Sequence, residues 1–251
     1  MKNTDRFSDR VENYIKYRPG YPQEVLTWLK GKVGFSSDTI IADIGSGTGI
    51  SAEMFLRNGN KVYAVEPNLE MREAADKLLE GYAGYASVNG TSEATTLPDH
   101  SVDLIVAAQA FHWFDRKAFK KECGRIGRVG AHCVLMWNER KVESDFEKAY
   151  EDLLIRYATD YQQVDHRNIR EKDLVDFFSP HPVMSVTLYN EQVFDYEGVK
   201  GRLLSSSYAP NVGEPNFDPM ISYLREIFDR YQKDNHVSFS YDCNLFAGKI
   251  I

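Results

Sequence analysis

In the first half of the chain, short apolar runs alternate with stretches in which an apolar side chain returns every three or four positions. The runs have strand length: Thr39 to Asp43, Lys61 to Val65, Tyr85 to Asn89, Val102 to Ala107 and Cys133 to Trp137. Between them, Ile50 to Asn58, Leu69 to Glu80 and Phe114 to Ile126 carry the helical period. This alternation predicts a parallel sheet with helices on both faces. Ahead of the first strand, YPQEVLTWLKGKV sets Val25, Leu26, Trp28 and Leu29 on one face and predicts a helix against the sheet's edge.

The pattern changes after Trp137. ESDFEKAYEDLLIRYATDY reads as a long amphipathic helix, and REKDLVDFF as a second one that Pro180 ends, so a helical insertion is expected there. Strand signals return at Val183 to Tyr196 and His236 to Ile250, with helical patterns in EGVKGRLLSSSYAP and PMISYLREIFDRYQKD between them. The expected fold class is therefore α/β with seven strands and a helical insertion.

Composition narrows the setting. The 251 residues carry a net charge of -7, which lacks the electrostatic footprint of a nucleic-acid binder. The basic stretch FKKECGRIGR has helical spacing and reads as a solvated helix face. The longest apolar runs, such as Val102 to Phe111, fall short of the roughly 20 residues of a membrane span. The N-terminus lacks the apolar block of a secretory signal, so a cytoplasmic protein is expected. Cys123, Cys133 and Cys243 are widely separated and read as reduced core residues. His100, His132, His166, His181 and His236 show no ligand spacing, and no metal is expected.

The chemistry concentrates in TIIADIGSGTGIS, Thr39 to Ser51, where Gly45, Gly47 and Gly49 alternate with small residues at the carboxyl end of the first strand. Ligands of open α/β sheets bind at that rim. A Walker phosphate loop needs a lysine that GSGTGIS lacks, and the dinucleotide fingerprint G-x-G-x-x-G needs glycine where Ile50 stands. Glu66 closes the second strand at the position from which a carboxylate takes both ribose hydroxyls. Asp43 adds a negative charge that would repel a pyrophosphate and favour a cationic tail. The turn thus suits a nucleoside whose tail is cationic.

DIGSGTG at Asp43 to Gly49, VEPN at Val65 to Asn68 and NGTSEATTLPDHSVDLIVAAQAFHWFD at Asn89 to Asp115 resemble the class I S-adenosylmethionine-dependent methyltransferases. The likeness is to the small-molecule branch that includes trans-aconitate methyltransferase and the ubiquinone/menaquinone C-methyltransferases, and it covers Phe7 to Arg140 best. It implies a Rossmann-like, mostly parallel sheet with an antiparallel final strand, and S-adenosyl-L-methionine as cofactor. It places Gly45, Gly47 and Gly49 under the methionine part, Asp43 near its amino group, and Glu66 on the ribose beside Pro67 and Asn68. The turn from Gly90 to Glu93 covers the adenine, with Thr91 and Ser92 within it. Ala108 and Gln109 face the methionine moiety, and Tyr14, Tyr17 and Arg18 belong to a segment that folds over the cofactor.

On the acceptor side His112 and Trp113 follow the fourth strand at the rim where donor and acceptor meet, with His112 the catalytic candidate, Trp137, Asn138 and Arg140 are expected on the same rim by topology, and Tyr208 is expected to close the pocket from the second half. The chain is expected to divide into a lid segment and edge helix (1–34), a cofactor-binding core (35–140), a helical insertion capping the substrate (141–182) and the completion of the sheet (183–251). The expected reaction is in-line methyl transfer to a small-molecule acceptor, a carboxylate, hydroxyl or activated carbon. The expected partner is that acceptor, with no nucleic acid and no membrane. A nicotinamide-dependent oxidoreductase and a cofactor-binding module without catalysis stay open as alternatives, as do the acceptor's identity and the oligomeric state.

Overall fold

The structure, a computed structural model, describes residues 16–159, 161, 169–206 and 208–250. Its strands are β1 (Ile40–Ile44), β2 (Lys61–Val65), β3 (Tyr85–Val88), β4 (Val102–Ala108), β5 (Gly127–Arg140), β6 (Met184–Phe194) and β7 (Val237–Lys249). The helices are α1 (Glu24–Val33), α2 (Ile50–Arg57), α3 (Leu69–Leu79), α4 (Arg116–Ile126), α5 (Asp145–Tyr157), α6 (Glu171–Phe178), α7 (Tyr196–Leu204) and α8 (Phe217–Tyr231). The strands form one seven-stranded sheet in the order β3-β2-β1-β4-β5-β7-β6. β1 to β5 run parallel, and β7 enters antiparallel between β5 and β6. The strand order reverses beside β1, so the crevice between β1 and β4 is where a Rossmann-like sheet receives its ligand.

Local chemistry explains the element boundaries. Asn68 caps α3 by accepting the N–H of Met71 at 2.9 Å, and Asp115 caps α4 through the N–H groups of Lys117 and Ala118. Ser144 and Glu147 form a capping box at the start of α5. β5 runs well beyond its predicted apolar centre, because pairing with β7 from His132 to Arg140 satisfies a polar end that no apolar pattern marks.

Two apolar layers sandwich the sheet. Leu29 of α1, Phe55 of α2 and Leu79 of α3 pack on one face, while Phe119 of α4 and Phe177 and Phe178 of α6 pack with Phe111 on the other. Each of these fully buried side chains contributes about 1.5–3 kcal/mol. A third cluster joins Tyr150 and Leu153 of α5, Leu203 of α7 and Leu224 and Phe228 of α8 around Phe239 and Tyr241 of β7. The two helices of segment 141–182 therefore part: α5 joins this third cluster, and α6 packs behind the sheet. Cys123, Cys133 and Cys243 are free and buried. No helix of the described residues is long and apolar enough to cross a membrane.

Candidate functional site

A cavity of about 380 Å³ opens at the carboxyl ends of β1, β2, β4 and β5. The glycine turn after β1 forms its floor. Gly45, Gly47 and Gly49 all have positive φ, 68°, 55° and 87°, which explains glycine at each. Their surroundings differ. A Cβ on Gly45 would lie 2.8 Å from the Ala110 Cβ, and one on Gly49 would lie 2.5 Å from Leu79 Cδ1, so both glycines permit close packing inside the protein. A Cβ on Gly47 would meet nothing within 4 Å, and this glycine lines the cavity. Gly47 is where the backbone is bare toward a ligand.

The amides of the turn point inward. The N–H groups of Gly45 and Ser46 donate to the Val65 carbonyl at 2.8 and 3.2 Å, and that of Gly49 donates to the Ser46 carbonyl at 2.9 Å. The Gly47 N–H donates to Glu66 Oε2 at 3.0 Å, and the Asn68 N–H to Glu66 Oε1 at 2.9 Å. Glu66 is thereby fixed in the wall by one bond to each oxygen, which leaves further lone pairs for ligand hydroxyls. Burial raises its pKa above the ordinary glutamate value, against the two N–H bonds that favour the anion. The hydroxyls of Ser46 and Thr48 line the same space, and neither Oγ has a hydrogen-bond partner among the described residues.

Asp43 departs from expectation. It is fully buried behind the turn and does not reach the cavity. Its carboxylate accepts the Ser51 Oγ hydroxyl at 2.6 Å, with the N–H of Ala52 beside it in the first turn of α2. Burial, as the largest influence, pushes its pKa up to about 7. Asp43 therefore occupies the positive end of α2 from inside the protein, and Ser51 stands between it and the cavity.

The next wall is the turn from Gly90 to Glu93, braced from α4. The N–H and Oγ of Thr95 both donate to Glu122 Oε1, at 2.7 and 2.6 Å, and Arg125 Nε donates to Glu122 Oε2 at 2.9 Å. Arg125 holds the Glu122 carboxyl down to about pH 2, so this part of the basic stretch is structural rather than a solvated face. Thr91, Ser92 and Glu93 line the cavity, with Ser92 Oγ donating to Glu93 Oε1 at 2.6 Å. At the end of β4, Gln109 takes a positive φ of 57°, and its Oε1 accepts the Asn138 N–H at 2.9 Å. Backbone strain of this kind collects at functional sites.

Pro67, Asn68, Ala108 and Gln109 also line the cavity, as do His112 and Trp113 from the short helical turn Phe111–Trp113. The His112 and Trp113 rings lie 4.7 Å apart. Asn138 and Arg140 enter from β5, and Tyr208 from the loop after α7. Arg18 belongs to a strap that crosses the opening, and its Nη2 donates to the Ser205 carbonyl at 3.0 Å. The strap is fastened at the Gly20 carbonyl by Asn138 Nδ2 at 3.0 Å and Asn190 Nδ2 at 2.8 Å, and at the Tyr17 carbonyl by Gln192 Nε2 at 3.1 Å.

The remaining expected residues lie elsewhere. Gly49 packs under the turn, and Tyr17 turns away onto Phe194, with ring centroids 6.2 Å apart. Trp137 points to the opposite sheet face, stacked on Phe246 at 4.9 Å, because neighbouring strand residues alternate sides. Tyr14 lies outside the described residues.

The sequence reading missed Tyr21, Met71, Tyr161, Arg202 and Tyr241, all of which line the cavity. Arg202 did carry a signal. It follows Val199 by three positions and precedes Leu203 and Ser206, so an arginine sits within the buried stripe of α7.

Residues 42–135 match the family model of a methyltransferase domain. Over 134 residues the chain is 34% identical to an uncharacterized methyltransferase of Mycobacterium tuberculosis, covering 53% of this chain and 52% of that protein. The chain thus spans about half the length of the curated relatives it matches. In fold it is similar to a protein described as a type II methyltransferase from Anaeromyxobacter dehalogenans, with a TM-score of 0.67, 21% identity and coverage of 94% and 99% of the two chains. It is also similar to the geranyl diphosphate C-methyltransferase of Streptomyces coelicolor, solved with S-adenosyl-L-homocysteine, with a TM-score of 0.51, 14% identity and coverage of 91% and 75%. The methyltransferase-domain match spans residues 42–135, the segment that holds the glycine turn and the Glu66 wall, and the seven-stranded fold is similar to that of solved methyltransferases.

Proposed function

We propose that the protein transfers a methyl group from S-adenosyl-L-methionine to a small-molecule acceptor. The carrying observation is the commitment of the turn's amides. A pyrophosphate would need the N–H groups of Gly45, Ser46, Gly47 and Gly49, and all of them are bound to the protein's own oxygens. It would also face the Glu66 carboxylate across the floor. A nucleoside with hydroxyls for Glu66 and a cationic, phosphate-free tail suits the same surface. This favours the methyl donor over a nicotinamide dinucleotide.

The bound cofactor supplies an electrophilic methyl on a sulfonium. The chain's part is to position and to dry the site. Gly47 gives close approach, Glu66 fixes the ribose, and the braced turn at Thr91 to Glu93 covers the base. His112 and Trp113 wall the end at which an acceptor enters, and the strap at Arg18 closes it from above. Alignment and exclusion of water supply most of the acceleration in such a displacement. An oxyanion acceptor needs no base, and for a phenol or carbon acid His112 is the candidate to receive the proton. The cavity is of the size usual for small-molecule sites, roughly 300–1,000 Å³.

Calorimetry with S-adenosylhomocysteine and NADH tests this reading. Binding of the first with no binding of the second is expected. Preference for NADH would overturn the reading. With S-adenosylhomocysteine bound, a labelled-methyl screen over carboxylic acids, phenols and quinone precursors then separates an enzyme from a silent binding module.

A further inference from the structure

The cavity's outer half has a charge pattern that methyl donation does not explain. Arg140 and Arg202 enter it beside Arg18, among the phenols of Tyr161, Tyr208 and Tyr241. Arg140 is matched: its Nη2 bonds Glu151 Oε2, and its guanidinium lies 5.1 Å from the centre of the Tyr150 ring. Its Nη1 is nevertheless buried without a hydrogen-bond partner among the described residues.

Arg202 is not matched. Only 7% exposed, it donates from Nε to Tyr241 Oη at 3.4 Å and from Nη1 to Ser206 Oγ at 3.3 Å. Among the described residues no carboxylate lies within ion-pair distance of it. A buried charge without a counter-ion is costly and persists where something else supplies the opposite charge. Tyr208 registers the imbalance. Burial, the largest influence, raises its phenol, yet Arg202, Arg18, the Ser206 hydrogen bond and Arg140 together hold it below the ordinary tyrosine value.

Resting on the methyltransferase reading, we infer that the acceptor carries an oxyanion, a carboxylate or phosphate, and that Arg202 is the specificity-determining residue that binds it, with Arg140 Nη1 as second donor. A guanidinium presents a planar pair of donors that matches a carboxylate and also suits a phosphate. The hydroxyls already on Arg202 Nε and Nη1 hold it in the pocket and leave Nη2 for the ligand. The surrounding phenols exclude water without cancelling the charge.

The test uses the full chain saturated with S-adenosylhomocysteine. Calorimetry measures binding of benzoate, succinate and inorganic phosphate, with benzamide and succinamide as neutral matches. At least one oxyanion is expected to bind where its neutral match does not. Preference for the two carboxylates or for phosphate identifies which oxyanion the acceptor bears.

In Arg202→Met the oxyanion affinity should fall roughly 10- to 150-fold, the loss of a hydrogen-bonded charge, while S-adenosylhomocysteine affinity stays within about twofold. Arg202→Lys, which keeps the charge and loses the planar fork, should fall between. It also serves as the readout if the methionine variant does not fold.

Equal binding of the neutral amides, or no oxyanion binding, overturns the inference. So does an equal loss of S-adenosylhomocysteine affinity in the arginine variants, which would assign Arg202 to the cofactor's own carboxylate. A wild-type chain that does not bind S-adenosylhomocysteine contradicts the methyltransferase reading instead, and the oxyanion panel is then read on the free protein.

Discussion

The two halves of the cavity handle polarity in opposite ways. At the donor end the carboxylates and the turn amides are tied to partners inside the protein: Asp43 Oδ2 takes Ser51, Glu66 takes the amides of Gly47 and Asn68, and Gly45 and Ser46 share the Val65 carbonyl. At the acceptor end, among the described residues, Arg202 is buried with hydroxyls alone and Arg140 Nη1 has no hydrogen-bond partner. The first arrangement fixes its carboxylates and turn amides before a ligand arrives and leaves the Ser46 and Thr48 hydroxyls for it. The second lacks a counter-charge that a ligand brings. Rigidity and incompleteness are thus divided between two walls of one space.

The contrast can be tested at its strongest point first. Asp43 has a folded pKa of about 7 against an ordinary 3.8, so the folded state holds its proton more tightly than the unfolded chain. The stability this contributes is fully present below the unfolded value and is lost as pH rises through about 7. The span corresponds to at most roughly 4 kcal/mol. In Asp43→Asn the difference from wild type should change between pH 4 and 7 and level off above, as followed by urea unfolding across pH. A pH-independent difference would show that Asp43 does not titrate within the fold.

Next in size, Glu66→Ala should weaken S-adenosylhomocysteine binding by about 1.5–3 kcal/mol through lost bonds to a charged acceptor. Oxyanion binding at the other end should remain. If both affinities fall together, the halves are not independent, and the comparison fails.

Asn190→Ala removes one of the two amides on the Gly20 carbonyl and should cost about 0.5–1.5 kcal/mol. The expected sign is faster cleavage of the strap by a protease, with bound S-adenosylhomocysteine restoring protection. Unchanged cleavage would show that Asn138, Gln192 and Arg18 hold the strap without Asn190. Smallest of all, Trp137→Phe should leave both ligand affinities within about twofold, because its ring packs on Phe246 away from the cavity. A larger change in either affinity would contradict the placement of that side chain.

The donor half was legible in the sequence because it is local. Asp43 to Gly49 and Glu66 to Asn68 lie at the ends of neighbouring strands, and their spacing survives folding unchanged. Even there, the sequence did not tell which glycine faces a ligand and which faces Leu79, since that depends on what packs beneath. It also placed Asp43 at the ligand, whereas the side chain turns back under α2. In the acceptor half the sequence reading named His112, Trp113, Asn138, Arg140 and Tyr208, and it missed Arg202 and Tyr241 because chain order sets them far away on α7 and β7. Trp137 was assigned to the rim from proximity along the chain, and strand alternation turned it to the other face.

The long strand β5 joins the two halves. Asn138, which fastens the strap, and Arg140, which begins the arginine cluster, stand one pleat repeat apart on the same strand, about 6.8 Å along the backbone. That interval belongs to the backbone and does not depend on any side chain. It acts as a built-in spacer between closure and recognition, so residues on α7 and β7 are free to vary in what they bind while the distance to the closing segment stays constant.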